Sequence, residues 1–82
     1  MARINEWYDW DDKGNEDWRM YVCLGFNADP DSKWYRILPS KELSAALCLL
    51  EPTHGSYSGK TWELEDDIVR SLGYEVHKDY KP

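Results

Sequence analysis

The chain has 82 residues, of which sixteen are acidic and ten basic, giving a formal net charge of −6. A chain of this length buries only about 60–65% of its extended surface, so we expect a single compact domain over residues 1–82 with a thin core and no large enclosed active site. The negative charge disfavours DNA, RNA and anionic membranes as partners and favours a basic protein.

Alternating apolar and polar residues predict three strands in the first half of the chain. Residues 17–26 read DWRMYVCLGF, in which alternate side chains are apolar, and this period of two is typical of a strand with one buried face. A partner strand is expected over residues 3–10, joined to it through a Lys-Gly-Asn turn. After a loop at NADPDS, residues 33–38 predict a third strand that stops at Pro39, and an antiparallel meander is the simplest arrangement of the three.

A first helix is predicted directly after these strands. Ser40 stands at its N-cap position, and Pro52 follows its end. The residues that recur with helical spacing between them are Leu43, Ala46, Leu47 and Leu50. Residues 51–60 are rich in Gly, Ser, Pro and Thr and are therefore predicted to form a loop.

A second helix is predicted over residues 62–72. Its apolar stripe consists of Leu64, Ile68 and Leu72. Acids near its start complement the helix dipole, and Gly73 stands where a helix C-terminus favours glycine. Residues 74–77 are expected to return as a short edge strand, and the tail at 78–82 is expected to fray. The predicted class is α+β, with an antiparallel sheet of three to four strands, beginning with the N-terminal meander, packed against two helices.

The sequence HGSYSGKT at residues 54–61 resembles a phosphate-binding loop. That motif needs a glycine, four residues and then Gly-Lys-Ser/Thr, whereas the loop here is one residue short between Gly55 and Gly59. It also follows a predicted helix instead of the buried strand on which the motif depends. We interpret Thr61 as the N-cap of the second helix and expect no nucleotide or other cofactor.

Metal-binding patterns are incomplete. The chain carries Asp9, Asp11 and Gly14 at the first, third and sixth positions of a calcium loop. The fifth position is Lys13 and the twelfth is Met20, where oxygen ligands are needed. The cysteines and histidines lack the spacing of a zinc site, so no metal is expected.

The two cysteines, Cys23 and Cys48, lie in apolar runs and are interpreted as small core side chains. The N-terminal sequence MARINEWYDW lacks the apolar segment of a secretory leader. No apolar run approaches the ~20 residues of a membrane span. A reduced, cytoplasmic protein is therefore expected.

Neither catalysis nor nucleic-acid binding is favoured by the remaining motifs. His54 with a loop serine, Ser56 or Ser58, can be drawn as a hydrolytic pair, but most chains of this composition permit such a drawing. The fragment KWYR at residues 33–36 mixes bases with aromatics, yet acids dominate the chain and strand alternation explains the pattern. We expect no enzyme and no direct contact with nucleic acid.

Acidic residues form two clusters, and the functional prediction depends on them. The first lies among aromatic residues near the N-terminus, and the second lies at the start of the predicted second helix. Like charges at this density cost folding stability, which indicates that they are used. The predicted partner-binding residues are Tyr8, Asp9, Trp10, Asp11, Asp12, Glu16 and Asp17 in the first cluster and Glu63, Glu65, Asp66 and Asp67 in the second.

The first cluster suggests imitation of nucleic acid. Carboxylates two residues apart on a strand, as predicted for Asp9 and Asp11, are separated by about 6.7 Å, comparable to phosphate spacing along a nucleic-acid strand. Such a surface can occupy a basic groove, with Trp10 or Tyr8 as an anchor. The leading hypothesis is a non-enzymatic inhibitor of a basic, nucleic-acid-handling protein, such as a nuclease or effector complex.

In size and charge the chain resembles the stand-alone inhibitors that phages direct against host nucleases. These include antirestriction, anti-CRISPR and glycosylase-inhibitor proteins. The resemblance implies a possible DNA mimic that acts in the host cytoplasm.

Two alternatives of other classes stay open. A small-ligand or metal-binding module can use the loop at residues 51–60 through His54 and Lys60. A structural or assembly subunit can bury exposed aromatics against copies of the chain. An ordinary acidic surface kept for solubility also explains the charge. The sequence leaves open the partner, the stoichiometry, the oligomeric state and whether the two acidic clusters share one face.

Overall fold

The computed structural model describes residues 1–10, 12–26, 33–56 and 58–77, and the predicted tail at 78–82 lies outside them. The α+β class is confirmed, with two helices and one antiparallel sheet, but this sheet has six strands instead of three or four. The strand order across the sheet is β4-β5-β1-β2-β3-β6, so β1 and β2 lie at its centre. In chain order the elements are β1 (Ala2–Trp10), β2 (Glu16–Cys23), β3 (Tyr35–Pro39), α1 (Lys41–Leu49), β4 (His54–Ser56), β5 (Gly59–Leu64), α2 (Asp66–Leu72) and β6 (Tyr74–Val76).

The core lies between one face of the sheet and the two helices. β1 and β2 pair in a regular antiparallel register in which Ile4 lies opposite Val22. Because side chains alternate along a strand, the even-numbered residues of β1 and β2 share this face, which we call the helix-bearing face. The buried cluster consists of Ala2, Ile4, Met20, Val22, Ile37, Leu43, Leu47, Trp62 and Val69. The core is therefore thin: it consists of one layer of side chains from the sheet and one layer from the two helices.

The opposite face, which we call the open face, is held together by polar contacts. The Arg3 guanidinium carbon lies 4.0 Å from the centre of the Phe26 ring, and its Nη2 lies 2.6 Å from a Glu63 carboxylate oxygen. Beside this pair, Thr61 Oγ1 donates a hydrogen bond of 2.9 Å to Asn5 Oδ1. β1 and β5 are thus linked by apolar packing on one face and by polar side chains on the other.

The segment predicted as a loop and then a helix forms the β4–β5 hairpin instead. β5 pairs with β1, with Trp62 opposite Ile4 and Leu64 opposite Ala2. The prediction of a helix from residue 62 is wrong, because Leu64, the first residue of the predicted helical stripe, also alternates with Trp62 in a period of two. Trp62 and Leu64 form a strand because they pair with β1. The helix α2 begins only at Asp66.

The predicted helix ends are confirmed at two of three positions. Ser40 is the N-cap of α1, where its Oγ accepts a hydrogen bond of 2.9 Å from the Leu43 backbone N–H. Gly73 follows α2 with a φ of +91°, a conformation that glycine adopts without strain. Thr61 is no helix cap, since it lies inside β5, and Glu65 takes the N-cap position of α2.

Within the described residues, neither helix is long and apolar enough to cross a membrane.

Gly59 permits the close approach of β5 to β1. A Cβ atom at this position would collide with the carbonyl oxygen of Glu6, which belongs to the backbone and cannot rotate away. Next to this contact the Tyr8 backbone N–H donates a hydrogen bond of 2.7 Å to the Ser58 carbonyl oxygen. The glycine of Gly-Lys-Thr therefore has a packing role between two strands.

We expect Gly59→Ala to destabilise the chain by about 2–3 kcal/mol or to prevent folding, because the added methyl group forces β5 away from β1. Gly55→Ala is the matched control: it lies in the same hairpin, and nothing is within 4 Å of its Cβ position. Urea unfolding followed by tryptophan fluorescence compares the two variants. Equal stability of both would contradict the close approach at Gly59.

Candidate functional site: an acidic hairpin and an aromatic groove

The hairpin between β1 and β2 projects beyond its neighbouring strands. β5 pairs with β1 at residues 2–5, with one further hydrogen bond at Tyr8, and β3 pairs with β2 at residues 20–22. Beyond these points the two strands pair with each other alone in the described part of the chain. We call residues 9–17 the hairpin tip; within it, Asp11 lies outside the described residues.

The register divides the hairpin tip between the two faces. Asp9 lies opposite Asp17 on the open face, and Trp10 lies opposite Glu16 on the helix-bearing face. Trp10 is 58% exposed. This register brings Asp9 and Asp17 together across the hairpin, whereas the expected pair of Asp9 and Asp11 includes a residue outside the described ranges.

The acids of the hairpin tip differ in how far their charge is offset. Asp17 lies 2.7 Å from Arg19 Nη2 and 4.0 Å from Arg36 Nη2, so two bases surround it. Of the described acids in the hairpin tip, those that are exposed and form no ion pair with another described residue are Asp9, Asp12 and Glu16. These three charges are therefore available to a partner.

A groove of about 380 Å³ lies on the helix-bearing face, between the sheet and the C-terminal half of α1. Its volume falls within the roughly 300–1,000 Å³ of small-ligand sites. The sheet contributes Glu6, Tyr8, Trp18, Lys60 and Trp62, and α1 with the turn after it contributes Leu47, Cys48 and Leu50. We call it the aromatic groove, because three of the six sheet residues that line it are aromatic, the sixth being Met20.

Glu6 brings a carboxylate into the aromatic groove. It occupies the same row of β1 as the core residues Ala2 and Ile4, and it is only 9% exposed. Trp18 Nε1 donates a hydrogen bond of 3.2 Å to its Oε2. Burial of an acid costs stability unless partners compensate for the lost water. Glu6 is therefore the side chain of the groove that apolar packing explains least.

Tyr8 connects the aromatic groove with the hairpin tip. Burial raises its pKa above the ordinary value of 10.0, and the carboxylates of Glu6 and Glu16 raise it further. One of these acids belongs to the groove and the other to the tip. Because Trp10 and Glu16 follow Tyr8 and Trp18 on the same face, groove and tip form one continuous surface.

The second predicted acidic cluster lies at the far end of the sheet. Leu64, which leads into it, pairs with Ala2 at the start of β1, whereas the hairpin tip begins where β1 ends. The length of β1 between these points is about 26 Å. The structure therefore does not bring the two clusters together.

Local partners offset most of the second cluster. Glu63 lies 2.6 Å from Arg3, and Asp66 lies 3.6 Å from the N-terminal ammonium group. Asp67 lies 3.9 Å from Arg70 Nη1. Of the four acids only Glu65 forms no ion pair within the described residues. This cluster consequently presents less unbalanced charge than the hairpin tip.

His54 and Lys60, the residues of the alternative ligand site, do not converge. His54 pairs with Thr61 and Lys60 with Gly55, so the two side chains lie on opposite faces of the β4–β5 hairpin. Lys60 lines the aromatic groove, and His54 lies on the open face. Within the described part of the chain, no three His, Cys, Asp or Glu side chains are grouped to hold a metal ion.

The aromatic groove was not predicted from the sequence. Cys23 is buried as expected, but the interpretation of Cys48 as a core residue is wrong, because its thiol is exposed where α1 borders the groove. Trp62 was not recognised as a groove residue, because residues 62–72 were predicted to form a helix. Glu6 carries a usable signal, since it alternates with Ile4 and Tyr8 and therefore must share their face.

Comparisons of the chain with known protein families, curated proteins and solved structures found no match. The geometry and charge of the hairpin tip and the aromatic groove are therefore the basis for a functional proposal.

Tyr8 gives the chain a pH dependence at the alkaline end. Because its pKa is raised in the folded state, its contribution to stability is complete below pH about 10 and is lost as the pH rises through the folded pKa. We expect the free energy of unfolding to fall more steeply above pH about 10 in the wild type than in Tyr8→Phe. Urea unfolding at a series of alkaline pH values measures this difference. Tyr74→Phe, on β6, controls for the loss of a phenol elsewhere, and coinciding profiles of wild type and Tyr8→Phe would contradict the raised pKa.

Proposed function

We propose that this chain is a non-enzymatic interaction protein whose hairpin tip binds a basic surface of a partner protein. The partner surface is one that handles nucleic acid, as in a nuclease or effector complex, and the chain inhibits the partner by occupying it. The setting is cytoplasmic. The observation that carries this proposal is the set of three acids, Asp9, Asp12 and Glu16, that form no ion pair within the described residues and lie beside the exposed Trp10 on a projecting hairpin.

The energetics of the hairpin tip support a binding role. Asp9 lies directly opposite Asp17, and like charges in this position destabilise a sheet by roughly 0.2–1 kcal/mol. Arg19 and Arg36 lie beside Asp17, whereas Asp9 has no ion-pair partner within the described residues. A pair of like charges that costs stability, and of which the described residues neutralise only one member, is suited to a cationic surface that neutralises it on binding.

Trp10 supplies an apolar anchor within the acidic surface. Exposed tryptophans are prominent among the residues that carry binding energy at interfaces, because a large rigid ring loses little conformational entropy. Trp10 lies opposite Glu16, so an indole ring and a carboxylate are presented side by side. Charge then guides the approach of the partner, and the ring contributes contact area.

The spacing of the acids supports a partner surface that handles nucleic acid. Cross-strand neighbours such as Asp9 and Asp17 have Cβ atoms about 5 Å apart, so the hairpin tip presents closely spaced carboxylates. Close spacing of negative charges is also a property of the phosphates along a nucleic-acid strand. A groove built for a phosphate backbone can therefore accept the two-stranded ribbon of the hairpin tip.

Reversal of the three exposed acids Asp9, Asp12 and Glu16 should abolish partner binding. The triple variant Asp9→Lys, Asp12→Lys and Glu16→Lys raises the formal net charge from −6 to 0, because each reversal adds two units. All three side chains are exposed, so the fold is expected to survive. Affinity capture from lysate, followed by direct titration of the captured protein, should show a loss of affinity of about a hundredfold or more.

The matched control reverses three exposed acids elsewhere and reaches the same net charge: Glu42→Lys, Glu51→Lys and Glu75→Lys. This control should retain the partner, since the position of the charge matters and not its sum. Duplex DNA and added salt should both weaken the wild-type complex. Capture of the same protein by the hairpin-tip variant, or a complex that DNA does not displace, would contradict the proposal.

A further inference from the structure

Glu6 retains bonding capacity that the described residues leave unused. Its identified hydrogen bond comes from Trp18 Nε1, whereas a carboxylate offers about four lone-pair sites. No base in the described part of the chain forms an ion pair with it. Because Glu6 lines the aromatic groove, a ligand in the groove can reach this carboxylate.

The surroundings of Glu6 favour a planar cation. Tyr8, Trp18 and Trp62 line the groove around it, and aromatic faces attract cations most strongly where water is excluded. Trp62 is fixed in place by a hydrogen bond of 3.3 Å from its Nε1 to the Leu50 carbonyl oxygen. A guanidinium group stacks on aromatic rings, is weakly hydrated and presents paired N–H donors that match a carboxylate. Among natural side chains, arginine therefore fits this groove best.

The open face contains the same combination within the chain. There the Arg3 guanidinium lies over the Phe26 ring and binds the Glu63 carboxylate. A ring and a carboxylate together hold an arginine in that case. The aromatic groove offers a carboxylate and three aromatic side chains with no arginine of the described chain between them.

Lys60 limits the charge that the groove accepts. Its side chain is exposed and lines the groove on the β5 side. A second cation beside the first would meet the repulsion of this ammonium group. The groove is therefore suited to a single arginine and not to a cluster of bases.

We propose that the aromatic groove binds one arginine side chain of the partner, with the guanidinium group on the Glu6 carboxylate and its plane against the aromatic walls. This rests on the proposed function, because the groove is continuous with the hairpin tip and a basic partner docked on the tip reaches it.

The probe for this site is N-acetyl-arginine amide, and its comparison ligand is N-acetyl-citrulline amide, which has nearly the same shape without the charge. The full chain is titrated with each while NMR follows the indole N–H resonances. The arginine amide should shift the resonances of Trp18 and Trp62 and bind about tenfold or more tightly than the citrulline amide, as expected for hydrogen bonds to a charged group. Equal affinities for the two ligands would overturn the proposal.

Two variants test the assigned contacts. Glu6→Gln removes the charge and keeps an oxygen that accepts from Trp18, and it should weaken binding of the arginine amide about tenfold. Lys60→Met should strengthen it by about threefold, since it removes a nearby like charge. Glu42→Gln, exposed on α1, is the matched control and should have no effect. Wild-type affinity in Glu6→Gln, or resonance shifts confined to residues outside the groove, would overturn the assignment.

The hairpin-tip triple variant separates this proposal from the proposed function. It keeps Glu6 and the three aromatic side chains, so it should bind the arginine amide within about threefold of the wild type. Binding of the amide together with unchanged partner capture by the triple variant contradicts the proposed function alone. Loss of capture by the triple variant without any binding of the amide contradicts the arginine site alone.

Discussion

The regular pairing of β1 with β2 is the constraint on which the rest of the structure depends. Every pair from Arg3 opposite Cys23 to Trp10 opposite Glu16 follows one register. A slip by one residue would exchange the two faces and place Arg3 in the core and Ile4 in solvent. The same register decides which aromatic and acidic side chains border the groove and which lie on the open face, so core and candidate site cannot change independently.

One row of β1 runs from the core to the surface. The exposed fraction along this row is 0% at Ile4, 9% at Glu6 and 58% at Trp10. The row begins where β5, β2 and the helices enclose β1, and it ends where β2 alone remains as a neighbour. Glu6 lies at the transition, where a carboxylate loses most of its water yet still borders an open groove. The chain thereby places a nearly buried carboxylate at a stretch of the row that borders the groove, where a ligand can offset the cost of its burial.

Local patterns predicted the elements that local energetics decide. β1, β2, β3 and α1 follow from the alternation of apolar residues and the Ser40 cap, within a few residues of their observed ends. β5 follows from contacts distant in sequence, because Trp62 becomes a strand residue only by pairing with β1, and β4 is a strand because it pairs with β5. The site divides in the same way. The clustering of acids is visible in the sequence, but the neutralisation of Asp17 by Arg36 and the closure of the groove by α1 arise only when separate parts of the chain meet.

Tip and groove would contribute to a complex at different distances. Exposed carboxylates act through solvent over a Debye length of about 8–10 Å, so in the proposed complex the hairpin tip governs the association rate and its dependence on salt. Glu6 acts only on a group in contact with it. In the groove, solvent competes less for the carboxylate, so its attraction for a cation is stronger. The groove therefore governs the dissociation rate of the proposed complex. An acidic surface kept for solubility requires only the exposed charges. The buried Glu6 adds little to solubility and costs stability in a small chain. A surface kept for solubility leaves this residue unexplained, whereas the proposed binding function accounts for it.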